Sequence, residues 1–264
     1  MEVIDHGVCR LALVSVRKDP ADTSEQVTQL LFGDHYEVTS VSGDKKWVQL
    51  RIHADLYEGW ITENQHHSIT KEFFEQINHT NYKISTDLTS SLLYKKSPLT
   101  ILMGSIVPIS NSELFRMEEQ FAFNGESKSL GQKRDFEFLK SVALKYLNAP
   151  YQWGGKSPFG IDCSGFTQMV FKISGYPLLR DSSQQANHGK KVKSLSEALP
   201  GDLAFFQNAQ GKIHHVGIVL TEEKIIHASG RVRIDFLMEE GILNAESKIY
   251  TQQLAGIRRI LTPN

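Results

Sequence analysis

Cysteine is scarce. The chain carries two among 264 residues, Cys9 and Cys163, which allow at most one bridge and sit in unlike surroundings, so a disulfide scaffold is excluded. Long apolar runs are missing as well: no stretch approaches the roughly 18 residues that a membrane-spanning helix needs. Neither sign of charge dominates, since 29 Lys and Arg face 30 Asp and Glu for a net charge of -1, and no basic run is long enough to read as a surface for nucleic acid or an anionic membrane. The opening stretch, MEVIDHGVCRLALVSV, puts acids where a secretory signal puts positive charge, and Arg10 interrupts its apolar part. A cytoplasmic protein is the expectation, with an exported one as the alternative should the chain lack its leader. A composition of 40% hydrophobic and 22% charged residues is that of an ordinary folded chain, with one large domain or two to three small ones.

Short strands are expected over residues 9–16, 36–41, 47–52 and 58–61, separated by turn signals at Asp19-Pro20, Gly33-Asp34, Ser42-Gly43-Asp44 and Asp55. That spacing suits a small antiparallel barrel. SEQVTQLLFGDHYEV followed by WVQLR and YEGWI resembles bacterial SH3-like domains, which sets a first domain over 1–65. Residues 82–85, 99–103 and 106–109 again read as short strands, broken by Gly104 and Pro108, so 66–125 is expected to be a second, degenerate SH3-like unit. The polar segment NGESKSLGQ closes it. From Arg134 the pattern changes: Phe136, Leu139, Val142, Ala143 and Tyr146 recur at helical spacing until Asn148-Ala149-Pro150. A second helix follows Cys163, with Phe166, Met169, Val170 and Ile173 on its apolar face and Gly175-Tyr176-Pro177 as its stop. Strands then dominate at 202–206, 215–220, 224–228 and 256–260, so residues 126–264 have an α+β order, helices before sheet.

Chemistry concentrates in YQWGGKSPFGIDCSGF, residues 151–166, where a glycine-rich loop delivers Cys163 to a helix start. Unpaired N–H groups and the macrodipole there favour a thiolate. A thiol nucleophile needs a base, and the base needs a third group to orient it. His215 opens the strand HVGIVL and His227 lies in the next, KIIHASG, so paired strands would hold the two imidazoles as neighbours. His214 competes for the base role, but in a strand its side chain points to the face opposite His215. The rival reading of Cys163, a buried structural thiol, is weakened by Asp162, Ser164-Gly165 and the two histidines; Cys9 has no such company. A metal mechanism is rejected because Cys163 lacks a close-spaced ligand partner and the pairs His66-His67 and His214-His215 diverge on strands, so no metal or other cofactor is expected.

DCSGF, PGDLAFF, HVGIVL and IIHASG, in that order, resemble the NlpC-type family of papain-like cell-wall cysteine peptidases over residues 134–262. The resemblance implies a papain-like core with the cysteine helix packed on an antiparallel sheet. It also implies Cys163 as nucleophile, His215 as general base and His227 as the orienting residue, with Tyr151 beside the Cys163 N–H as an oxyanion donor.

Within that family the chain is most similar to γ-D-glutamyl-L-diamino-acid endopeptidases that carry SH3-like domains ahead of the catalytic one. What this implies is a murein peptide substrate with a free N-terminal L-Ala, cut between D-glutamate and the diamino acid. Such a substrate presents an ammonium and a free carboxylate. Asp181 and Ser182 in RDSSQQ, with Asp162 and Ser164 beside the nucleophile, resemble the family's binding residues, and Asp181 is the leading acid for the ammonium. Glu58 and Tyr94 are candidates from the SH3-like units. The alternatives are a general murein hydrolase whose SH3-like units hold wall polymer, a non-peptidase acyl-transfer enzyme on the same fold, and a binding module without activity.

Overall fold

Alternation builds the first strands. In Leu13–Arg17 the side chains of Val14 and Val16 are buried while Leu13, Ser15 and Arg17 are half-buried, the pattern of a sheet with one face on a core. The computed structural model describes residues 2–79, 81–110, 115–116, 121–221 and 223–261. The chain forms two compact units, the first ending at Gln132 and the second beginning at Lys133.

In the first unit an antiparallel sheet of seven strands runs, in spatial order, Gln26–Leu31, Leu13–Arg17, Glu58–Thr62, Trp47–Ile52, His35–Val41, Asp5–Val8 and Ser68–Ile69. Its core gathers Cys9, Val14, Val16, Leu30, Tyr36, Val38, Leu50, Ile52 and Ile61, all buried. The strand expected over 9–16 begins at Leu13. Cys9 instead exchanges backbone hydrogen bonds with the turn at Gly33-Asp34. The expectation of three strands in the following stretch falls short. A helix, α1 (Lys71–His79), comes first, and two smaller sheets follow, with Thr89–Tyr94 and Phe121–Asn124 as strands the sequence did not declare. Phe32 leaves the first sheet to join Leu92, Ile101, Val107, Ile109 and Phe121 in a second core. The chain must pass close there: Gly33 takes φ +84°, and a Cβ on it would lie 2.0 Å from the Ile106 carbonyl oxygen. Ser127–Ser129 pairs with Tyr82–Ser85, so the first unit runs past the boundary expected at residue 125.

The second unit starts with α2 (Phe136–Lys145), whose N-cap Asp135 accepts from the Phe138 N–H at 3.0 Å. Next come α3 (Cys163–Ile173) and the short α4 (Ser182–Gln185). The sheet behind them runs, in spatial order, Lys190–Val192, Tyr250–Arg259, Leu203–Gln207, Ile213–Thr221, Lys224–Ser229, Arg231–Met238 and Gly241–Leu243, and the last strand pairs back onto Tyr250–Arg259. Helix α3 packs against α2 and against the two central strands Ile213–Thr221 and Lys224–Ser229. Apart from Lys172 every one of its residues is buried, and Phe166, Met169, Val170, Phe171 and Ile173 are fully enclosed. Each such side chain contributes about 1.5–3 kcal/mol by leaving water, which fixes the N-terminal end of α3 relative to the strands.

Candidate active site

The approach to Cys163 folds as a hairpin, Lys156–Ser157 against Gly160–Ile161, and enters α3 at once. Asp162 caps the helix: Oδ1 accepts from the Gly165 N–H at 2.6 Å, while Oδ2 accepts from the Gly154 N–H at 2.8 Å. The glycines allow contact. A Cβ on Gly165 would lie 2.2 Å from the Gly155 carbonyl oxygen, so the hairpin backbone rests directly on the first turn of α3. Cys163 is the first residue of that turn and is buried. Its sulfur lies 3.9 Å from the His214 carbonyl oxygen and accepts from the Val216 N–H, contacts that bracket His215.

His215 and His227 come from neighbouring antiparallel strands in which Gly217 stands opposite His227. Two residues from Gly217, His215 therefore shares a face with His227 on the diagonal. A Cβ on Gly217 would press within 2.9 Å of the His227 Cβ, so glycine leaves the second imidazole its place. The rings meet edge to face, with His215 Nε2 2.8 Å from His227 Nδ1, and both are buried. His214 is exposed and lends the site only its carbonyl. Behind His227 stands Asp235, from the strand Arg231–Met238, with Oδ2 3.0 Å from His227 Nε2. Arg233 and the Ala245 N–H hold that carboxylate in turn.

Tyr151 is 37% exposed at the mouth of this arrangement. Burial of its hydroxyl, and after it the neighbouring Cys163 and Asp162, push its pKa up to about 12, which keeps it a donor. Asp162 and Ser164, both expected to meet substrate, are buried and share one partner. Arg180, buried as deeply as any side chain here, donates to both Asp162 oxygens and to Ser164 Oγ at 2.8 Å. With Gly154 and Gly165 also donating, both Asp162 oxygens are held by donors of the protein itself. Asp181 and Ser182 open α4. The Asp181 N–H donates to Gln184 Oε1 at 3.1 Å in a capping box, and Asp181 itself is half-buried, whereas Ser182 is buried. Glu58 and Tyr94 belong to the first unit. Glu58 is exposed on its strand opposite Arg51, and Tyr94 stacks on Phe121 at 5.0 Å and meets Phe32 edge-on.

The NlpC/P60 family pattern matches residues 148–259, and that of the bacterial dipeptidyl-peptidase Sh3 domain matches residues 16–65. The chain is 30% identical over 251 residues to the gamma-D-glutamyl-L-lysine dipeptidyl-peptidase of Bacillus subtilis (strain 168), covering 88% of this chain and 80% of that protein. The chain belongs to the NlpC/P60 family. Against dipeptidyl-peptidase 6 of Lysinibacillus sphaericus this cysteine peptidase is 24% identical over 267 residues, covering 92% of this chain and 93% of that one. A crystal structure of an NlpC/P60 family protein from Bacillus cereus ATCC 10987 shares the fold, with a TM-score of 0.81 at 23% identity over 97% of this chain and 100% of that one. The fold is thus an α+β NlpC/P60 peptidase domain preceded by an all-β SH3-like region.

The peptidase's electrostatics correct one expectation. Burial, and after it the charge of Asp162, push the Cys163 thiol up to about 12, outweighing the helix end that was expected to favour a thiolate. Burial likewise pushes His215 well below the usual imidazole range, with His227 and His214 adding to the effect. Both shifts oppose a thiolate–imidazolium pair. Sequence reasoning missed Arg180, Arg233 and Asp235. Only the hairpin register, which puts Asp235 two residues from the partner of His227, brings the last of these to the site.

Proposed function

We infer that this peptidase hydrolyses the γ-D-glutamyl bond to the diamino acid, diaminopimelate or lysine, of a murein peptide that carries a free N-terminal L-Ala. The observation that carries this reading is collinearity: relatives named as dipeptidyl-peptidases align across both units, whereas probable endopeptidases p60 of Listeria align over 50% of this chain or less. His215 accepts the thiol proton as Cys163 Sγ attacks the γ-carbonyl carbon, and His227 holds the imidazole in place. The Cys163 N–H, at the open end of α3, and the Tyr151 hydroxyl donate to the oxygen that gains charge. The proton on His215 then passes to the leaving amine of the diamino acid. Water, activated by the same imidazole, releases L-Ala-γ-D-Glu from the thioester.

Asp181 is the acid for the substrate ammonium and Ser182 a hydroxyl contact. The product belongs to peptidoglycan turnover or recycling. Incubation with L-Ala-γ-D-Glu-diaminopimelate and with the lysine analogue, read by mass spectrometry, tests the reading. Release of L-Ala-γ-D-Glu is the expected result. Equal cleavage of the N-acetylated tripeptide would remove the requirement for a free amine.

A further inference from the structure

Resting on the Cys163–His215–His227 reading above, we propose that Asp235 is a positioning residue that sets the tautomers of both histidines and so presents a bare lone pair of His215 to the thiol. A line of hydrogen bonds runs from Asp235 through His227 to His215. Asp235 Oδ1 accepts from the Ala245 N–H at 2.8 Å and from Arg233 Nη2 at 3.0 Å, and Oδ2 lies 2.8 Å from Arg233 Nε and 3.0 Å from His227 Nε2. Surrounded by donors, the carboxylate acts only as an acceptor. His227 must therefore carry its proton on Nε2, which leaves Nδ1 as an acceptor. His215 Nε2, 2.8 Å from that nitrogen, must carry its own proton there and donate it. The remaining His215 nitrogen, Nδ1, is then the one with a free lone pair, and it is the base. No other neutral assignment satisfies both histidine contacts. When His215 takes the thiol proton, Asp235 is also the buried counter-charge, two hydrogen bonds away.

The same geometry predicts how an amide would fail. In Asp235→Asn the side-chain carbonyl oxygen belongs at the Oδ1 position, where two donors converge, and its NH2 group then faces His227 Nε2. A donor at that point moves the His227 proton to Nδ1. His215 responds by carrying its proton on Nδ1, which then has no lone pair to offer the thiol. Alanine imposes no tautomer. A merely structural Asp235 would rank the variants the other way, since asparagine keeps its shape and alanine does not.

Protein labelled with 15N-histidine, examined by long-range 1H–15N correlation, reads the tautomers directly. Both histidines should carry Nε2–H in the wild type and Nδ1–H in Asp235→Asn; any other wild-type pattern overturns the proposal even if the variant does not fold. On the L-Ala-γ-D-Glu-diaminopimelate tripeptide, kcat of Asp235→Asn should fall on the order of 10³-fold with KM held within about twofold, as for a wrong-tautomer triad. Asp235→Ala should lose less. An alanine loss equal to or greater than the asparagine loss, or an asparagine loss under about tenfold, overturns it. Cys163→Ala separates the two levels: if it stays active the catalytic reading fails, and if it is inactive while Asp235→Asn is unimpaired, only the tautomer role fails.

Discussion

With His215 as the proposed base, its protonation sets the acid side of the activity profile. His215 acts only when unprotonated, and its pKa is displaced downward from the ordinary value near 6.5 by burial and by His227. As pH falls, activity should persist below 6.5 and decline only as the lowered imidazole pKa is crossed. The acid limb of kcat/KM against pH reads this, and a limb at or above 6.5 contradicts it. Cys163→Ala should lower kcat at least about 10³-fold without unfolding the protein, as measured on the tripeptide with thermal melting as control. At this scale the sequence showed its reactive groups well, because Cys163, His215 and His227 sit in distinctive local contexts. It concealed Asp235 and Arg180. Both act through partners that only the tertiary structure supplies, and RVRIDFLM reads simply as an alternating strand.

Helix α3 carries Cys163, the proposed nucleophile, on an apolar body, so its packing and the placing of that thiol are one problem. Phe166 is fully enclosed beside Tyr146, 5.8 Å between ring centroids. Phe166→Ala should cost about 3–5 kcal/mol in denaturant unfolding. The Asp162–Arg180 pair is buried on both sides, and breaking it with Arg180→Ala leaves a carboxylate uncompensated at a cost of about 3–5 kcal/mol. The same measurement checks this, and a change under about 1 kcal/mol would mean that water replaces the guanidinium. Helices α2 and α3 were legible because their apolar residues recur at helical spacing. Helix α1 was not: it buries only Phe74 and Ile77, too narrow a stripe to stand out. Thr89–Tyr94 escaped for a related reason, since TSSLLY buries Ser90 and Leu92 on one face yet shows no alternation of polar and apolar residues.

Two units with separate cores make the whole chain a poor candidate for two-state unfolding. Calorimetry should resolve two transitions, with Phe166→Ala lowering one and Phe121→Ala the other; a single transition lowered by both variants would show that the cores unfold together. The strand Gly241–Leu243, which pairs on both sides, has a different consequence. By joining Arg231–Met238 to Tyr250–Arg259 it leaves the peptidase sheet with little open edge, and the short strand that remains outside, Lys190–Val192, begins with two lysines. A growing β-aggregate recruits molecules through unpaired backbone along such edges, and lysines there repel the next chain. Gly241 is what permits this closure, since a Cβ there would lie 1.6 Å from the Gln252 carbonyl oxygen. A bulkier residue at that one position would expose adhesive backbone on both flanking strands, so solubility on storage would suffer even in molecules that still cut their substrate.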